Sequence, residues 1–65
     1  PPVWLAWQDA PGGNDEQRIG ALTRAVVDAE QQGQFYGLQT PSGSVLPGRG
    51  QAHRHQCLRQ LALIG

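Results

Sequence analysis

The chain has 65 residues, 15% of them charged, with five Arg and no Lys set against three Asp and two Glu, for a formal net charge of zero. That length admits one small domain near the lower limit of a self-sufficient core. The zero balance excludes the broad positive field of a protein built to coat nucleic acid or an anionic membrane. The two halves differ, because residues 1–33 carry all five acids and two Arg while residues 34–65 carry three Arg and no acid. Opposed halves of this kind are expected where charges simply solvate different faces.

The single cysteine, Cys57, excludes an internal disulfide and a cysteine-based zinc cluster, and fits a reducing, intracellular setting. No apolar run reaches the roughly 18 residues of a membrane span, and the Pro-Pro start has neither a basic leader nor a signal-peptide core. The expectation is a soluble, untargeted segment making no membrane contact of its own. With no Met and a start at Pro1-Pro2, it reads as a piece excised from something longer.

In chain order, Val3 to Gln8 alternates with apolar residues on both faces. Val3, Leu5 and Trp7 fall on one side, Trp4 and Ala6 on the other, as in a strand covered by layers above and below. Pro11-Gly12-Gly13 then makes a turn. Asn14 is placed to cap a helix opening with Asp15, Glu16 and Gln17, in a spacing that resembles a capping box. From Asp15 to about Gln32, Ile19, Leu22, Ala25, Val26 and Ala29 recur at three and four and share one helical face. Gly33 ends that helix.

Phe35 to Thr40 reads as a second strand, with Tyr36, Leu38 and Thr40 on one face and Phe35, Gly37 and Gln39 on the other. Strand, helix and strand at this spacing make a βαβ unit with parallel strands. Pro41-Ser42-Gly43 predicts a tight turn, and Ser44 to Leu46 a short edge strand returning from it. Pro47-Gly48-Arg49-Gly50 punctuates the chain before a helix from Gln51 to about Ile64. On that helix Cys57, Leu58, Leu61, Ala62 and Ile64 gather on one side, and Gly65 closes it. The fold class is therefore α/β, β-α-β-(β)-α. An unpaired strand edge is expected, and with it self-association or pairing with the remainder of a longer chain.

Candidate chemistry is sparse. His53 and Cys57 share a helical face while His55 points elsewhere, so only two of the three could meet one ion, and a closed zinc site needs four ligands. Gly12-Gly13-Asn14 and Gly48-Arg49-Gly50 precede helix N-termini, where amides hold anions, but neither carries a P-loop or dinucleotide fingerprint. Asp9, Asp15 and Glu16 surround the loop after the first strand, where α/β sheets usually build sites, and helix capping already accounts for two of them. No catalytic, cofactor-binding or metal-binding residue is assigned. Arg49, Arg54 and Arg59, with His53 and His55 among them, form the one basic concentration. They are the candidate interaction surface, and the alternative reading is a small nucleic-acid-binding module.

Three segments together carry a resemblance: Trp4-Leu5-Ala6-Trp7 followed by Ala10-Pro11-Gly12; Tyr36-Gly37-Leu38; and Pro47-Gly48-Arg49-Gly50-Gln51-Ala52-His53-Arg54-His55-Gln56-Cys57-Leu58 running to Ala62-Leu63. The chain resembles, over nearly its whole length, the C-terminal end of the bacterial "domain of unknown function 58" proteins. The resemblance implies a fragment of a three-layer von Willebrand factor A-like domain, often encoded beside a MoxR-type AAA+ ATPase and commonly attached to membrane-spanning helices. It places this segment in the cytoplasm, with the parent membrane-anchored. The Asp-x-Ser-x-Ser adhesion motif of such domains belongs to an earlier strand and is absent here, so no ligand carries over. His53, Arg54 and Cys57 match the family's helix motif, with capping, surface contact and packing as their implied roles. The family has no established activity, and the implied function is a non-catalytic protein-interaction or scaffold segment.

Overall fold

The structure is a computed structural model that describes residues 1–64. In chain order it contains β1 (Val3–Ala6), a 3-10 turn (Trp7–Asp9), α1 (Asp15–Gln31), β2 (Tyr36–Thr40), β3 (Gly43–Gly48) and α2 (Gln51–Ala62). The three strands form one mixed sheet in the order β1-β2-β3, with β1 parallel and β3 antiparallel to β2. The expected α/β class and parallel first pair are present, and the return strand is real.

Helix α1 starts and stops by its own sequence. The Asn14 side chain accepts the Gln17 N–H at 2.8 Å, while Gln17 reaches back to accept from Gly13, one residue before the cap, at 2.7 Å. The capping box is thus displaced by one residue in its second half. At the other end Gln34 N–H bonds Ala29 C=O and Gly33 N–H bonds Glu30 C=O. These paired bonds, with Gly33 at φ +69°, define a Schellman stop. That turn delivers the chain directly into β2.

The core lies between the helices and one face of the sheet. Val26 from α1, Tyr36 and Leu38 from β2, and Cys57 and Leu61 from α2 are its fully buried side chains. Ala10, Leu22, Ala29 and Val45 complete it, with Leu5, Trp7, Ile19, Leu58 and Ile64 half-buried around the margin. Both helices touch each other and β2, so they lie on the same side of the sheet. On the other side, the Trp4 ring lies flat over Gly37, where an added Cβ would come within 2.7 Å of it.

Several expectations are corrected. The first strand stops at Ala6 rather than running to Gln8, because Trp7 C=O accepts the Ala10 N–H and the chain turns before Pro11. Two-sided apolarity there does not mean two-sided cover, since Trp4 stays 42% exposed. Strand β3 is longer than the Ser44–Leu46 stretch and takes in Pro47 and Gly48. A bulge opposite Tyr36–Leu38 makes this workable, because Pro at an edge and at a bulge breaks no ladder bond that the sheet needs. Helix α2 ends at Ala62, which is exposed, and Ile64 packs from beyond the helix. The stop assigned to Gly65 lies outside the described residues. At the hairpin tip, the Ser42 hydroxyl donates to Gln60 C=O at 2.8 Å and ties the β2–β3 turn to the end of α2.

Candidate functional site

A part-buried polar constellation lies where the end of α1, the start of β2 and the start of α2 meet. Helix α2 is preceded by Gly50 as its N-cap, with φ +104° and no side chain to satisfy the free amides. That role falls to Glu30, whose two carboxylate oxygens accept the Gly50 N–H at 3.1 and 3.0 Å. The same carboxylate accepts the Tyr36 hydroxyl at 2.9 Å. A negative charge beside a helix N-terminus is stabilised by the helix dipole. Burial, and then the bond to Glu30, raise the Tyr36 phenol well above its ordinary range and keep it a neutral donor.

One turn into α2, His53 is packed over Gly48, with ring Nδ1 2.9 Å from where a Cβ would stand. Its Nε2 lies 2.7 Å from Tyr36 C=O, and the two rings meet edge to face at 4.6 Å. A carbonyl oxygen only accepts, so Nε2 must carry the proton. Cys57 Sγ sits 3.7 Å from that nitrogen. A protonated Nε2 cannot take the thiol proton, and burial with the nearby Glu30 charge pushes the Cys57 thiol up to about 11. The pair therefore lacks the chemistry of an activated cysteine–histidine dyad. It holds β2 to α2.

The basic concentration does not converge. His53 turns inward, His55 and Arg59 lie on the exposed side one turn apart, and Arg54 stands about 140° from Arg59 in projection. Arg49 reaches back across the α1 stop, with a terminal nitrogen 3.4 Å from Gly33 C=O. Both candidate anion cradles are already filled by the chain itself, Gly13 by Gln17 and Gly50 by Glu30. Among the described residues, no three His, Cys, Asp or Glu side chains gather as metal ligands. None of the described helices is long and apolar enough to cross a membrane.

The sequence reading left Glu30 on the solvated surface and gave Tyr36 only a packing role. Two signals point to them: a helix opening at glycine without a Ser, Thr, Asp or Asn cap, and a buried tyrosine whose hydroxyl needs a partner.

A second feature lies at the other end of β1. An open groove of about 180 Å³ runs between Leu5 and Ala6 of β1, Asp9 and Ala10 of the following loop, and Ala21, Leu22 and Ala25 of α1. No residue of β2 or β3 lines it, so it opens at the free edge of the sheet. Close by, the Arg18 guanidinium stacks on the Trp7 ring at 5.2 Å. Compared with known proteins, the chain matches no family model, no curated protein and no solved structure.

Proposed function

We propose that this chain is a non-catalytic protein-interaction segment of a larger von Willebrand factor A-like domain of the "domain of unknown function 58" kind, working with a MoxR-type AAA+ ATPase. The observation that carries the reading is the incompletely covered sheet. Strand β1 is an edge, and Trp4, Phe35 and Leu46 expose 42%, 51% and 78% of their surface. Large apolar side chains left exposed on an incompletely covered sheet are what an interaction surface offers.

The motif residues on α2 support the same reading, because His53 and Cys57 are engaged in joining that helix to β2. In such an assembly the exposed flank of His55 and Arg59, with Arg54 and Arg49 on neighbouring surface, is available to a partner. Nucleic-acid binding through Arg49, Arg54 and Arg59 draws less support, since these side chains form no continuous track.

Co-purification of the parent protein with its ATPase, with and without ATP, tests the proposal when repeated after removal of this segment. The expected result is loss of an ATP-dependent complex while the remaining domain stays folded. An intact complex without the segment would refute it.

A further inference from the structure

The two helices are secured in different ways. Helix α1 is capped by its own Asn14, stopped by its own Gly33 turn, and carried between β1 and β2, which pair in parallel. It cannot leave without taking that strand pair apart. Helix α2 has 12 residues, an N-cap glycine without a side chain, and no acid in its first turn. A helix this short is marginal in water unless something packs on it.

What holds α2 is borrowed from other elements. Glu30 of α1 accepts the Gly50 N–H at its start, Tyr36 C=O of β2 accepts from His53 Nε2 within its first turn, and Ser42 at the hairpin tip donates to Gln60 C=O in its last turn. Of its own residues, Cys57 and Leu61 are buried, joining Val26, Leu38 and Val45 in the core. The link from β3 runs through Gly48, Arg49 and Gly50. Gly50 sits at φ +104°, a backbone conformation open to glycine, so this link turns more freely than any other residue pair would allow.

We infer that α2 is a hinged strap, which opens as one unit about Gly48–Gly50 while α1 and the sheet stay folded. Opening uncovers the Cys57 thiol and the side of the core that α2 covers. Units of this kind open at a lower free energy than the whole fold. The bonds at Gly50 and Gln60 are its latches, one at each end, and each ties α2 to a different element. The strap is independent of the interaction reading, since it uses only bonds within the described residues, and neither the edge of β1 nor the exposed sheet face takes part.

The test is alkylation of Cys57, the only cysteine, by iodoacetamide in the 65-residue chain at low urea, with global unfolding followed by circular dichroism. Cys57 is fully buried when α2 is docked, so its labelling rate reports the open population. Labelling should be faster than global unfolding allows, with a shallower urea dependence, because less surface is exposed. Ser42→Ala, which removes one latch, should speed labelling by about two- to ten-fold. Glu30→Ala should speed it by about ten-fold or more.

Asn14→Ala separates the strap from plain unfolding. It removes the α1 cap, far along the chain from α2, and should raise the globally unfolded population about five-fold while leaving the Cys57 labelling rate unchanged. Labelling that rises five-fold with it, or that follows the urea dependence of global unfolding, would overturn the inference. So would a labelling rate that neither Ser42→Ala nor Glu30→Ala changes.

Discussion

Glu30 of α1 and Gly50, the N-cap of α2, are joined by a carboxylate that accepts one backbone N–H with both of its oxygens. Helix α2 is thereby capped from α1 rather than from its own preceding loop. Glu30→Ala should lower stability by about 2 kcal/mol, from a lost cap and a lost charge-assisted bond. Glu30→Gln, which keeps an acceptor, should cost roughly half of that. Tyr36→Phe should cost about 1 kcal/mol alone and less beside Glu30→Ala, because both remove the same bond. Urea midpoints at constant m-value measure all three.

Leu61 is 1% exposed and anchors α2 against the sheet and α1. Leu61→Ala should cost about 2 to 5 kcal/mol. In a chain this short, that is enough to populate the unfolded state at room temperature, visible as lost amide dispersion. An unchanged melting curve would contradict the assigned helix face.

Two glycines should respond in opposite directions. Gly48→Ala places a Cβ 2.9 Å from His53 Nδ1 and pushes the ring off Tyr36 C=O, at a cost of about 1 to 3 kcal/mol. Gly20, inside α1, has nothing within 4 Å of an added Cβ. Gly20→Ala should stabilise the chain by up to about 1 kcal/mol through helix propensity alone. Thermal melts of the two variants, taken side by side, decide both.

Alkaline pH should weaken the fold through Cys57. Its thiol rises from an ordinary 9.0 to about 11 in the folded chain, so between those values the folded state holds the proton that the unfolded state has lost. The stabilisation from the neutral thiol is complete below pH 9.0 and is lost as pH rises toward 11. The slope approaches about 1.4 kcal/mol per pH unit for one group. The Tyr36 phenol, also raised, steepens the loss above its ordinary 10.0. In Cys57→Ala the decline should begin later, which denaturant titrations from pH 8 to 11 can read as a changed slope, whatever the cost of the cavity.

Local signals made α1 and β2 readable. Asn14, Gly33 and a recurring apolar face define the helix, and the alternation of Tyr36 and Leu38 with Gly37 defines the strand. Less legible were features settled by residues distant in the chain. Glu30 looks like any exposed acid until Gly50, 20 residues on, arrives beside it. Trp7 continues an alternating pattern and yet leaves the strand, because its carbonyl closes a turn with Ala10. The basic residues of α2 look like one patch as a string of letters, but helical rotation turns His53 inward and sets Arg54 apart from Arg59. The groove beside β1 had no sequence signature, since it exists only where α1 overhangs the end of the sheet.

Amide hydrogen exchange along this segment, measured in the intact parent protein alone and in complex with its ATPase, tests the interaction role most directly. The account predicts slowing at exposed positions of the segment, Trp4 on β1 or His55 and Arg59 on α2, when the ATPase binds. Exchange left unchanged by the ATPase throughout the segment would contradict the proposed role.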